Sequence, residues 1–316
     1  MTKTKIITID CEYVEKEIAC AYLLIRNDSA IFIETNTNHA VPHLLDALSK
    51  EGLSPENVKY IICTHAHLDH SGGAGLLMQS CKNAICLLHP KAAKHLINPE
   101  VLIKSSISVY GEENYKNLYG EIIPIPKDRV QIPEDGQTVN WQGTELKFFY
   151  TKGHANHHFC IYEKDQNTVF TGDSYGLSYP FLQKKGTFLI PATTPNDFDA
   201  VEAIKSIRMI HATGADSAHL THFGKITLSS ATMKDLEEGV QFSENLLTKI
   251  ESLGANESEI KLGLRESLRA FYDSKAERLG QFFTEEEWKL LELDIRINSE
   301  GLWIAYQRRV KKSSQS

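Results

Sequence analysis

Short apolar runs broken by polar turns carry most of the chain. Residues 5–9, 20–25 and 30–34 read as strands. The nearly unbroken run Ala19-Cys20-Ala21-Tyr22-Leu23-Leu24-Ile25 suits a strand buried on both faces. Val41, Leu44, Leu45 and Leu48 recur at helical spacing, which predicts a helix over 39–51 that stops before Gly52. A strand over 58–63, a helix over 73–80, a strand over 84–88 and a helix from Pro90 through Leu96 follow. Strands alternating with helices predict a layered α/β architecture. Residues 100–120 hold Tyr110, Tyr115 and Tyr119 without clear periodicity, and read as an irregular excursion. Strand patterns fill 129–173, a helix covers 198–211, and a short strand lies near 217–221.

The character changes after His222. Leu236, Val240, Leu246, Leu247, Ile250 and Leu253 keep a helical period, and Ile260, Leu264, Leu268 and Phe271 repeat it. Thr284-Glu285-Glu286-Glu287 forms a capping box ahead of Trp288, Leu291 and Ile295. Residues 226–316 are expected to be helical, with a basic tail from Arg308 that frays. The apolar stripes at 236–253 and 288–304 can pack internally or against a second copy, a homodimer.

Composition narrows the class only a little. The chain has 316 residues, a net charge of -7, 41% hydrophobic and 24% charged residues, which is ordinary globular make-up. That charge argues against nucleic acid as partner. No signal-peptide pattern follows Met1, and no run is long enough to span a membrane. The six cysteines stand singly in apolar runs without CxxC spacing, as reduced core residues of a cytoplasmic protein do.

The chemistry concentrates in Thr64-His65-Ala66-His67-Leu68-Asp69-His70. This stretch leaves the end of a predicted buried strand, where α/β scaffolds place reactive groups. Imidazole nitrogen and carboxylate oxygen are ligands for zinc and for non-haem iron. Three further candidates stand at strand ends: His154 after Gly153, Asp173 after Gly172, and His222. The glycines let the backbone turn sharply toward a shared site. His65, His67 and His154 would hold one metal, and Asp69, His70 and His222 the other. Asp173 would bridge them. Two cations about 3.5 Å apart can hold a bridging hydroxide that is nucleophilic at neutral pH.

Together, His65-x-His67-x-Asp69-His70, Gly153-His154, Gly172-Asp173 and Thr221-His222 resemble the motif series of the metallo-β-lactamase-fold superfamily. The resemblance spans residues 5–225. It implies a four-layer αβ/βα sandwich with the two-metal site at one edge of the paired sheets. It also implies a catalytic domain over 1–225 and a helical domain over 226–316 that packs near the active site. Asp173-Ser174 and the helical extension are closer to glyoxalase-II-like and quinolone-signal-response-type thioesterases than to β-lactamases. The latter usually replace the bridging aspartate. Flavodiiron oxygen reductases are also similar, but they typically carry glutamate where His67 stands.

These readings predict a binuclear metal-dependent hydrolase of a small thioester, ester or lactone, acting through the bridging hydroxide, with a phosphodiester as a further option. Two divalent ions are implied, zinc ahead of iron. Asp69 is the candidate catalytic residue, accepting or relaying the proton. Tyr175, Tyr179 and Phe181 follow Asp173 and are candidate substrate contacts, as is Tyr110. His157 and His158 are candidates for orienting a ligand. His219 reads as structural, and His39, His43, His89, His95 and His211 join no constellation. Asp10 and Glu12 read as surface carboxylates. Two other classes stay open: a diiron redox or oxygen-binding protein, and a metal-containing sensor or regulatory protein.

Overall fold

The computed structural model describes residues 3–193 and 196–314. The side chain of Tyr110 lies outside what is described. The chain divides into two compact units, the first formed by Met1–Tyr150, His157–Gly172 and Thr213–Thr227, the second by Thr151–Asn156, Asp173–Ala212 and Leu228–Ser316.

The first unit holds two six-stranded mixed sheets. One contains β1 (Lys5–Asp10), β2 (Cys20–Arg26), β3 (Ser29–Ile33), β4 (Val58–Cys63), β5 (Ile85–Leu88) and β6 (Val130–Gln131), in that spatial order. The other contains β7 (Thr138–Trp141), β8 (Thr144–Thr151), β9 (His158–Glu163), β10 (Thr168–Gly172), β11 (Ser217–Leu220) and β12 (Gly224–Thr227), again as neighbours in sequence order. β1 to β3 pair antiparallel, whereas β3 to β6 run parallel. Parallel neighbours need crossovers, and these carry α1 (Val41–Lys50), α2 (Leu68–Ser71), α3 (Ala74–Ser80), α4 (Pro90–Ile97), α5 (Glu100–Tyr110) and α6 (Glu112–Tyr119).

Strict alternation explains why β2 and β3 are apolar except at Arg26 and Ser29, the ends nearest their connecting turn. Ala21, Leu23, Ala30 and Phe32 pack with Val41, Leu44 and Leu77 of the helices. Their neighbours Tyr22, Leu24, Ile31 and Ile33 pack with Leu146, Phe148, Phe159 and Phe170 of the other sheet. Phe148 and Phe159 meet edge to face at 5.2 Å, a geometry aromatic pairs prefer. The two sheets are also tied at one edge, where the Tyr22 hydroxyl donates to the Leu220 carbonyl and Cys20 N–H donates to Thr221 O at 2.8 Å.

Residues 100–120 differ from the expected irregular excursion: they form α5 and α6. Tyr115 and Tyr119 of α6 are buried with Leu68 and Ile122, and Leu102, Ile103 and Ile107 of α5 join them partly buried. None of the side chains described for α5 is fully buried, so its apolar residues mark no clear helical face in sequence.

The second unit contains α7 (Ala200–Ala212), α8 (Ser230–Thr248), α9 (Glu257–Arg278) and α10 (Glu285–Ser313). Ser229, Asn256 and Thr284 cap the last three, each accepting from a backbone N–H of the first turn. Such caps contribute about 1 kcal/mol each. The fraying expected from Arg308 is replaced by helix as far as Ser313. The Arg309 guanidinium forks onto both oxygens of Glu244 at 2.8 and 2.6 Å, and Arg308 donates to Phe198 O at 2.6 Å. No helix among the described residues is long and apolar enough to cross a membrane.

Candidate metal centre

β4 ends at Cys63 and releases the chain into an extended turn, which α2 then closes. In α2, His70 N–H and Ser71 N–H both donate to His67 O at 3.0 Å. A second segment, 34–37, grips this turn from beside β3. Thr35 N–H donates to His70 O at 2.8 Å and Gly73 N–H to Asn36 O at 2.7 Å, while Asn36 Nδ2 donates to Asp69 O at 2.8 Å. Glu34 and Asn36 adopt φ of +65° and +51° to make this turn, a region that costs non-glycine residues conformational energy.

Within the first unit the turn brings five predicted ligands together. Oδ2 of Asp69 lies 3.4 Å from Nε2 of His222 and 3.8 Å from Nε2 of His70. Ligand atoms of these three residues fall within 4.8 Å of one another. Nε2 of His65 and Nδ1 of His67 face each other at 2.8 Å. His65 and His70 are fully buried, whereas the Asp69 side chain retains 24% exposure.

The opposite edges of these rings matter as much. Nδ1 of His222 donates to the Ile18 carbonyl at 2.9 Å. Nδ1 of His70 lies 3.3 Å from Oε1 of Glu34, and Nδ1 of His65 lies 3.0 Å from the Thr64 hydroxyl. That hydroxyl donates to Glu34, so the Nδ1–H of His65 is the donor to it. Each contact favours the proton on Nδ1 and turns Nε2 toward the other candidate ligands. This donor set fits a divalent metal.

The second unit repeats the device with the other two predicted ligands. Nε2 of His154 lies 3.5 Å from Oδ2 of Asp173, and its Nδ1 donates to Ala192 O at 3.2 Å. Both glycines expected to turn these ligands have positive φ, +106° at Gly153 and +47° at Gly172. A side chain at Gly153 would put its Cβ 2.2 Å from Ala203 N.

His158 is fully buried and its ring centre lies 4.8 Å from that of His65. His157 accepts the Ala66 N–H at 3.3 Å and lies 5.4 Å from His67, ring to ring. Tyr175 and Tyr179 are buried within the second unit. The Tyr175 hydroxyl pairs with Thr232 at 3.3 Å and that of Tyr179 donates to Asp294 at 3.1 Å. Phe181 stacks on Tyr179 at 5.5 Å and is half-buried. Asp10 accepts the Glu12 and Glu17 N–H groups at 3.0 Å each, in the exposed loop that leads to Ile18.

Glu34 is the functional residue that sequence reasoning missed. It is 1% exposed. Besides Thr64 and His70, its Oε1 accepts from the Thr221 hydroxyl at 3.4 Å. It thus touches one candidate ligand and the neighbours of two others. The only sequence signal is a lone acid closing the apolar run Ile31-Phe32-Ile33. All six cysteines are free and buried. Burial pushes the thiols of Cys20 and Cys81 up to about 12, so neither supplies a thiolate at neutral pH.

With fold and ligand geometry in place, comparison with known proteins assigns the class. The chain belongs to the metallo-beta-lactamase superfamily, matched over residues 18–216. Its fold is the αβ/βα sandwich of that superfamily with helices added at the C-terminal side. It is similar to the metallo-beta-lactamase fold-containing protein ST1585 of Sulfurisphaera tokodaii, 28% identical over 185 residues, which cover 57% of this chain and 63% of that one. It is also similar to an atrochrysone carboxyl ACP thioesterase of Pseudocercospora fijiensis, 25% identical over 142 residues, 45% of this chain and 33% of that one. The crystal structure of ST1585 from Sulfolobus tokodaii superposes with a TM-score of 0.64 at 22% identity, covering 94% of this chain and 97% of the other.

Proposed function

We propose that this protein is a binuclear metal-dependent hydrolase of small thioesters, esters or lactones. In this reading His65, His67 and His154 hold one ion, Asp69, His70 and His222 the other, and Asp173 is shared. The observation that carries it is the orientation of the rings: His65, His70, His154 and His222 each turn Nδ1 to an oxygen and Nε2 toward another candidate ligand. The thioesterase named among the relatives supports the choice of acyl substrate.

When bound, the ions supply an activated water and polarise the acyl oxygen. The chain's own residues do the rest. Asp69 is the more open carboxylate of the set, and its carboxyl group takes up the released proton. Asn36 holds the Asp69 backbone from behind, and the burial of His65 and His70 keeps bulk water from the inner ligands. Buried, protonated thiols suit a reducing compartment, so we place the protein in the cytoplasm.

Metal content by elemental analysis, with a visible spectrum and an acyl-substrate panel, tests the reading. Two colourless zinc ions per chain and hydrolysis that is lost in Asp173→Ala support it. An active Asp173→Ala enzyme sinks the mechanism. Iron with a visible absorption band and no turnover of the panel would favour a redox or sensing protein instead.

A further inference from the structure

One segment of the second unit, residues 188–193, touches His154 and reaches the turn of Asp173 through its pairing with Leu177. The Ala192 carbonyl accepts Nδ1 of His154 at 3.2 Å. Two residues earlier, Ile190 pairs with Leu177 through reciprocal backbone bonds of 3.0 and 2.8 Å. Leu177 directly follows Gly176, whose N–H closes the turn onto Asp173 O at 3.0 Å. The approach is tight: Gly176 has φ of +71°, and a Cβ there would lie 2.4 Å from Ile190 O. The segment therefore sets the ring of His154 directly and the turn of Asp173 through one strand pairing.

The same segment has no regular sheet to hold it, and the C-terminal helices grip it instead. Leu189 is held at both its backbone groups. Its N–H donates to Asp235 Oδ2 of α8 at 3.1 Å, and its carbonyl accepts from Nζ of Lys275 on α9. Lys275 is 1% exposed, pairs with Asp235 at 2.8 Å, and lies 4.5 Å from the ring centre of Phe188. Pro191 seats on α8 where Gly239 leaves the helix bare; a Cβ there would come 2.9 Å from its ring. At the far end Asn298 of α10 takes Thr193, accepting its N–H at 2.8 Å and its hydroxyl at 3.0 Å. Buried polar groups of this kind are costly unless their partners are in place, so their geometry is stringent.

We propose that residues 188–193 form a strap that sets His154 and Asp173, and that Lys275 and Asn298 are positioning residues holding its two ends. The strap gives the C-terminal helices a role in metal binding without any of them supplying a ligand. This rests on the assignment of His154 and Asp173 as ligands. Outer partners of ligands typically change metal affinity by about 10–100-fold. Loosening the strap therefore weakens most the ion that both residues hold, and less the one held by Asp69, His70 and His222, which shares only Asp173 with it.

The test uses the full chain loaded with zinc or cobalt. Affinity of each ion is read by chelator competition, and its environment by the cobalt absorption spectrum. Asn298→Leu removes the acceptor at similar volume, Asn298→Asp keeps an acceptor oxygen, and Thr193→Val removes only the hydroxyl. The expected result is at least a tenfold loss for one ion in Asn298→Leu, an altered cobalt spectrum, a smaller loss in Thr193→Val, and recovery in Asn298→Asp. A folded Asn298→Leu or Thr193→Val that binds both ions with wild-type affinity and spectrum overturns the strap. Should Asn298→Leu not fold, Thr193→Val decides alone. His154→Ala and Asp173→Ala serve as controls: if both retain two ions, the ligand assignment fails and the strap with it. If they lose an ion while the strap variants do not, only the strap is wrong.

Discussion

Oε1 of Glu34 lies 3.3 Å from Nδ1 of His70, across the ring from the nitrogen that faces Asp69. The same oxygen gathers the hydroxyls of Thr64 and Thr221. One buried carboxylate thereby ties the turn after β4 to the turn after β11. Replacing it leaves two hydroxyls and a ring nitrogen short of their acceptor. Glu34→Ala is expected to lower metal affinity by about 10–100-fold and stability by about 1–3 kcal/mol. Chelator competition and urea unfolding of the two proteins measure these; an unchanged affinity would remove Glu34 from the site.

Metal loading is expected to stabilise the fold, because ligands preset in the folded chain bind the ion better than the unfolded chain does. Free ion at a hundred times its Kd contributes about 2.7 kcal/mol. Thermal unfolding before and after exhaustive chelation, then with zinc restored, follows the effect. A Tm that ignores both treatments would contradict the assignment of these residues as ligands.

Gly153 is irreplaceable on two counts, its φ of +106° and the 2.2 Å approach to Ala203 N that a Cβ would make. Gly153→Ala is expected to cost about 1–3 kcal/mol from backbone conformation alone, with the clash added. Because His154 is the next residue, metal retention falls in the same variant. Equal stability of Gly153→Ala and wild type would mean that this turn is not as tight as described.

His219 supplies a pH dependence separate from the ligands. It is packed between Tyr22 and Phe170, ring centres 5.0 and 4.9 Å away, and burial, with Lys225 adding to it, pulls its pKa down to about 3. In the unfolded chain the group titrates near about 6.5. The unfolded state therefore gains a proton first as pH falls. The contribution of His219 is complete above about pH 6.5 and is lost as pH drops toward 3, at up to about 1.4 kcal/mol per pH unit. His219→Phe is expected to flatten the stability profile in that window, measured by urea titrations from pH 7 to 4. Parallel profiles for the two proteins would refute it.

What could be read from the sequence follows the distance over which each feature is encoded. The candidate ligands His65, His67, Asp69 and His70 share one turn, so their spacing alone suggests metal. β2, β4 and β10 are continuous apolar runs and were plain for the same local reason. β12 was not, being a four-residue strand at a sheet edge with one apolar residue, Ile226, between Lys225 and Thr227. α5 was hidden because Val101, Leu102, Ile103 and Ile107 are spread over half-exposed surface and mark no single face. Glu34 only closes the predicted strand 30–34 and carries no local sign of a role. Its burial depends on Thr64 and Thr221, the latter 187 residues away. The grips on residues 188–193 come from Asp235, Lys275 and Asn298, and no local pattern announces them.

The grip of Asn298 on Thr193 also imposes an order in time. The two residues are 105 positions apart in the chain. At roughly 5–20 residues per second, a ribosome needs on the order of 5–20 s to deliver the second after the first. Throughout that interval the nascent chain already carries the turn from His65 to His70, yet the carbonyl that aims His154 has no anchor from α10. The five candidate histidines and two candidate aspartates are thus made before residues 188–193 are held at both ends. On the proposed reading, maturation of the centre waits for translation of the last long helix, α10, rather than for the making of its candidate ligands.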